Sequence, residues 1–261
     1  DLAPRSDFLH RLALPIAMPV QRGAIETFGS GFTRPGRLIG NGAYVLSQWT
    51  PQAWLELERN PHYRAAGMVA IERVRYHVTE DASSELKRFE AGELHLTETL
   101  PPGQLARLRE RHADQLVVAP AYATFYLGYN LRQPKLAHAT VLREALSLAI
   151  DREILVRHIT GNGELPAYAL IPPSAADAPR MAAAAWSAQQ RLERARELYA
   201  SAGYDPSRPL SIELRYNTSL ANRRLGLAVA AMWQEVLGVD TRLRNEEWKV
   251  FVQTRRAGAI T

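Results

Sequence analysis

The stretch that decides the fold runs from Pro209 to Gly258 and reads PLSIELRYNTSLANRRLGLAVAAMWQEVLGVDTRLRNEEWKVFVQTRRAG. Leu210, Ile212, Leu214 and Tyr216 alternate with polar residues, the pattern of a half-buried strand, and Asn217-Thr218-Ser219 ends it. Leu225, Ala228, Val229, Met232, Trp233 and Val236 then recur at helical steps along one apolar stripe, and Gly238 stands where a left-handed cap is expected. Val239, Thr241 and Leu243 begin a second alternation, broken by Asn245-Glu246-Glu247. A strand, helix, strand unit of this length predicts parallel strands joined by a right-handed crossover. Both strands then end at one edge, the carboxyl edge at which open α/β sheets bind ligands. In the next helix Trp248, Phe251, Val252 and Arg255 share a face. Asn217, Asn222, Trp248 and Arg255 are therefore candidates for one cleft, as two amides that donate and accept, a flat wall and a guanidinium fork. Taken singly, each also has an ordinary reading: a core tryptophan, two turn-capping amides and a solvated arginine.

Working outward, the chain opens with SDFLHRLALPIAMPV, divided by Pro15 and Pro19, and continues through a Gly- and Pro-punctuated loop from Gly29 to Gly36. Ala43 to Trp49 and Trp54 to Arg59 read as a hairpin around Thr50-Pro51-Gln52. Ile71 to Val78 is a third strand, with Val74 and Tyr76 on one face and Arg73 and Arg75 on the other. Glu80 to Ala91 reads as a short amphipathic helix closed by Gly92, Leu94 to Thr97 as a strand, and Pro101-Pro102 as the first turn of a helix. Leu116 to Asn130 is extended and aromatic-rich. Val141 to Ile159 is helical with Asp151 restarting the pattern, and Ser187 with Gln190 form a capping box for the helix ended by Gly203.

Composition bounds what such a chain does. Its 261 residues, 46% hydrophobic and 23% charged, are ordinary globular material with no apolar run of membrane-spanning length. The absence of cysteine removes disulfides, thiol catalysis and Cys-ligated metals. The formal charge of +5 comes mostly from arginines interleaved with glutamates, as in RLERARELY from Arg191 to Tyr199. That is a solvated helix face rather than a phosphate track, so no nucleic-acid partner is expected. Neither GxSxG nor HExxH nor a Walker loop occurs, and the seven histidines are isolated. Glu246 and Glu247 are adjacent and would point apart on a helix. No catalytic residue, metal or cofactor is expected, although a carboxylate pair assembled from distant segments, such as Glu98 with Glu247, stays open.

The chain resembles the family 5 extracellular solute-binding proteins of bacterial ABC importers. The resemblance rests on NGAYVLSQW (Asn41 to Trp49), LERNPHYR (Leu57 to Arg64), REALSLAIDREILV (Arg143 to Val156), GELPAYALIPP (Gly163 to Pro173), LRYNTS (Leu214 to Ser219), WQEVLGV (Trp233 to Val239) and EEWKVFVQTRRAG (Glu246 to Gly258). It implies an α/β, periplasmic-binding-protein-like fold of the two-lobed class II, with residues 1–118 as part of lobe I and 119–261 as the first part of lobe III. It also implies capture of short peptides between lobes, ABC importer permease subunits as partners, a periplasmic monomer peripheral to the membrane, and Thr97, Glu98 and Tyr126 as further cleft-lining residues. The chain departs from the family pattern at Ala139, where an acidic helix start belongs, at Val141, which replaces a basic residue, and at Asn222, where the resemblance implies an imidazole, so that a charge-dependent contact does not carry over to this position. Asp1 is not an initiator, so a leader peptide is expected to lie outside this chain. The family's next strand, with the Trp- and Asp-bearing segment that fixes the peptide ammonium, is expected beyond Thr261, and peptide binding by this stretch alone is expected to be weak or absent. Two other readings of the same resemblance are a ligand-sensing domain of a cytoplasmic transcriptional regulator and a hydrolase on a similar scaffold.

Overall fold

Prolines keep the first stretch from forming one long helix: α1 (Phe8–Leu12) gives way to a 3-10 turn at Pro15–Ala17, and α2 (Arg22–Phe28) follows. The computed structural model describes residues 8–119 and 121–258. They fall into two units, divided between Glu80 and Asp81.

In the first unit β1 (Tyr44–Thr50), β2 (Trp54–Arg59) and β3 (Arg73–His77) form an antiparallel sheet in that order, as the alternation predicts. Gln52 turns the hairpin with a positive φ of 65°. Arg75 pairs across the sheet with Glu56, whose carboxylate is 3% exposed and lies 2.7 Å from the guanidinium. The Arg75 guanidinium also covers the Trp54 ring at 4.4 Å.

The second unit begins with α3 (Ala82–Glu90), capped by Asp81, and α4 (Leu105–Arg111). Leu94 to Thr97 is not a strand, because no neighbouring strand offers it a ladder; it runs as an irregular segment. Nor do the prolines open α4. Gly103 takes a φ of 76° and delays the helix to Leu105. Then come α5 (Pro134–Ala137), α6 (Thr140–Leu148), α7 (Arg152–Ile154) running into a π-helical turn at Leu155–Thr160, α8 (Ala182–Ala185) and α9 (Ala188–Ser201). Asp151 caps α7, and Ser187 with Gln190 form the expected capping box on α9.

The organising stretch folds as its pattern dictates. β4 (Ser211–Asn217), α10 (Leu220–Leu237), β5 (Asp240–Glu246) and α11 (Trp248–Ala257) follow one another, and β4 pairs with β5 in parallel. The core sits beneath this sheet, where Leu142, Ala145 and Leu146 of α6 meet Ala195 and Leu198 of α9, Val229 and Trp233 of α10, and Leu210 and Val239 at the strand starts. The Trp233 indole donates to the Leu146 carbonyl at 2.8 Å, so the largest buried ring leaves no polar atom unpaired.

Candidate ligand-binding edge

Parallel pairing from Ser211 with Asp240 to Asn217 with Glu246 brings both strands to the same carboxyl edge. The two loops there are joined directly. Thr218 N–H donates to the Glu246 carbonyl at 2.8 Å, and the Asn245 amide donates to Thr218 Oγ1 at 2.9 Å. Ser219 caps α10, and one turn in, Asn222 Nδ2 reaches back to the Asn217 carbonyl at 3.2 Å and to Asn217 Oδ1 at 2.9 Å. Asn217 and Asn222 thus form one polar unit, with the Asn222 Oδ1 and Asn217 Nδ2 groups not used by these bonds.

Trp248 and Arg255 form a second group on α11. The Trp248 ring stacks on Phe251 at 6.1 Å, and the Arg255 guanidinium lies 6.0 Å from the same Phe251 ring. Trp248 is 56% exposed, so it is not a core residue. The helix end is fastened instead: Arg132 donates to the Ala257 carbonyl at 2.8 Å and Asn130 to that of Gly258 at 3.2 Å. Hydrogen bonds bring together the two asparagines, and a shared phenyl ring joins Trp248 with Arg255; no bond among the described residues links the two groups.

The polar face of the sheet holds residues that the alternation marks only as outward-facing. The Arg215 side chain is 5% exposed, with Nε donating to Glu213 Oε1 at 2.8 Å and Nη1 to Glu246 Oε1 at 3.0 Å. Glu213 and Glu246 are themselves 10% and 9% exposed. Arg244 stands further off, 4.0 Å from Glu213 and 3.8 Å from Glu246, and Glu246 Oε2 has no partner among the described residues. Opposite charges stand two apart on each strand, Glu213 with Arg215 and Arg244 with Glu246, and the period of two puts each pair on one face; that this face is enclosed is what the alternation leaves out.

Thr97 and Glu98 lie elsewhere, on a cavity of about 760 Å³ with Leu86, Phe89, His112 and Asn162 among its walls. Thr97 donates to Glu85 at 2.6 Å, and Asn162 donates to the Leu100 carbonyl at 3.2 Å. Tyr126 is 65% exposed in the extended stretch and makes no hydrogen bond among the described residues. The long loop after the π-helical turn is latched at Tyr168, whose hydroxyl donates to Glu153 at 2.8 Å while the Arg152 and Arg191 guanidinium groups lie 4.7 Å and 5.3 Å from its ring. Burial, with the bond to Glu153, pushes the Tyr168 phenol up to about 12. Among the described residues no group of three acidic or histidine side chains could hold a metal, and no helix is long and apolar enough to cross a membrane.

A mixed α/β chain whose parallel β4–β5 pair carries Asn217 at its carboxyl edge has the architecture of part of a two-lobed periplasmic binding protein. The solved structures agree. The chain superposes on Burkholderia pseudomallei OppA with a TM-score of 0.91 at 31% identity, covering 99% of this chain and 51% of that one. It superposes on the Escherichia coli murein tripeptide binding protein MppA with a TM-score of 0.92 at 32% identity, covering 98% and 50%. The chain belongs to the bacterial extracellular solute-binding proteins, family 5 (Middle), whose family model matches residues 3–260. It is similar to the periplasmic oligopeptide-binding protein OppA of Escherichia coli K12, 35% identical over 256 residues that make up 97% of this chain and 47% of that protein. The chain spans about half the length of the curated relatives it matches.

Proposed function

We propose that the protein is the substrate-binding component of a bacterial ABC importer, which captures short peptides between two lobes and delivers them to the permease. The observation that carries this reading is the parallel carboxyl edge, where the Asn217–Asn222 pair stands beside loops joined through Thr218 and Glu246, in a chain of a solute-binding family. Relatives named for oligopeptide and murein peptide binding support peptides as the ligand class. Residues 1–118 would contribute to lobe I and residues 119–261 to lobe III, the lobes closing by the hinge motion known for periplasmic binding proteins.

The chemistry follows from the side chains. Peptide main-chain groups pair with strand-edge amides and carbonyls, which gives affinity without reading side chains. The two asparagines each retain polar capacity for such groups, Trp248 offers a flat wall, and Arg255 offers a bidentate fork to a carboxylate. Thr97 and Glu98 would line the cleft from lobe I and Tyr126 from lobe III, and bridging water would accommodate varied residues. In this reading the protein works in the periplasm as a monomer, binds no nucleic acid and catalyses no reaction. Native mass spectrometry of the whole protein with a pool of tri- to pentapeptides tests it. Adducts of peptide mass that survive gentle ionisation are expected; a bare protein throughout would overturn the reading.

A further inference from the structure

The buried ions on the polar face of the β4–β5 pair go beyond ligand contact. Glu213, Arg215 and Glu246 are all at most 10% exposed, so three charges have been taken out of water. Apolar side chains of similar volume are generally as stable or more stable in such places, which leaves stability a poor explanation for them. What a guanidinium does that an apolar group cannot is fix geometry, since its donors form a rigid planar fork. Here the fork spans both strands, from Glu213 on β4 at 2.8 Å to Glu246 on β5 at 3.0 Å.

Glu246 is the residue at which that geometry matters. It ends β5, pairs with Asn217, accepts the Thr218 N–H through its carbonyl, and is followed by Glu247, the cap of the helix that starts at Trp248. Its carboxylate has one close partner, Arg215, because Oε2 is buried with none among the described residues and Arg244 stays 3.8 Å away. We propose that Arg215 is a positioning residue for the peptide site: by locking Glu213 to Glu246 it holds the two strand ends in register, so that Asn217, Asn222 and Trp248 present one surface to the peptide main chain. This rests on the peptide-binding reading above. The Arg215 side chain, 5% exposed and committed to the two glutamates, acts through them rather than on the peptide. Arg244 is 57% exposed and balances the second carboxylate without fixing it.

The test compares the whole protein with E213L/R215M/E246L and with R215K, using an equimolar pool of tri-, tetra- and pentaalanine as the probe. Calorimetric affinity, the urea midpoint and the exchange rate of the Thr218 amide are measured together. The triple variant is expected to keep its urea midpoint while its affinity falls about tenfold, the order of loss seen when the support of a binding group is removed. Exchange at Thr218 should quicken in parallel. R215K keeps the charge but not the fork and should lose affinity to a smaller extent, and it decides the matter if the triple variant does not fold. A folded variant that binds as the unsubstituted protein does would overturn the positioning role and leave the peptide reading intact. Failure of the unsubstituted protein to bind the pool would overturn both.

Discussion

Trp233 joins two distant parts of the chain through a single atom. Its indole N–H reaches Leu146, 87 residues away, in a site where the ring is 3% exposed. Replacing it as W233F leaves the Leu146 carbonyl buried without its donor, an expected loss of about 1–3 kcal/mol in urea unfolding, to which the void left by the smaller ring adds. The stripe that carries Trp233 is legible from its spacing; the partner is not, because local periodicity says nothing about which backbone oxygen a folded ring will meet. Tyr129 makes a similar point through acid–base chemistry. Burial pushes its phenol up to about 12, partly offset by the Arg152 and Arg143 charges, and Tyr168 is pushed up to about 12 as well. A phenol whose folded value is raised holds its proton longer in the native state than in the unfolded chain. The associated stability is therefore complete below about pH 10 and is lost as the pH rises through about 12. Burial raises Tyr199 too, so tyrosinate absorbance should show three of the ten tyrosines ionising late, and Y129F should remove one late step.

Helix ends carry the clearest consequences at the scale of elements. Helix α6 starts at Ala139, whose methyl cannot cap, whereas Ser219 caps α10 and Asp151 caps α7 with side-chain oxygens. A139D should therefore raise stability by about 1 kcal/mol, read as a higher urea midpoint, by supplying the missing acceptor at the helix start. At the other end of α11, Gly258 has a φ of 67°, and a Cβ there would run into the Arg132 guanidinium. The positive φ alone makes G258A cost about 1–2 kcal/mol, and displacing Arg132 from the Ala257 carbonyl adds to it. Such caps are readable because the residue types and the offsets are local. Elements that need a distant partner are not: Leu94 to Thr97 has strand-like residues but no strand beside it, and the outward face of β4 and β5 reads as solvated although the side chains of Arg215 and its two glutamates are at most 10% exposed. For the candidate site the same division holds. The pairing of loops after Tyr216 and Arg244 follows from a strand, helix, strand pattern, while the hydrogen bonds between Asn217 and Asn222 depend on how the first turn of α10 is set.

Across the whole chain, burial is unevenly shared, and this governs how the molecule should open. Among the described residues up to Glu80 only Ala24, Glu56 and Asn60 are buried, whereas the second unit holds a continuous core from Leu142 to Val239. The segment from Phe8 to Ile39 is apolar in composition yet keeps Phe8, Leu9 and Ile16 exposed at 57%, 76% and 93%. Opening free energies follow such differences, from near zero where few apolar contacts form up to the global value in the core. Native-state hydrogen exchange of the 261-residue chain should accordingly show its slowest amides in α6, α9 and α10, converging on the free energy from urea unfolding. Amides from Phe8 to Ile39 should exchange close to the rate of an unstructured chain. Equal protection in the two regions would contradict this expectation, because Ala24 is the one buried apolar residue among the described residues of that segment; it would mean that another surface covers its exposed side chains in solution.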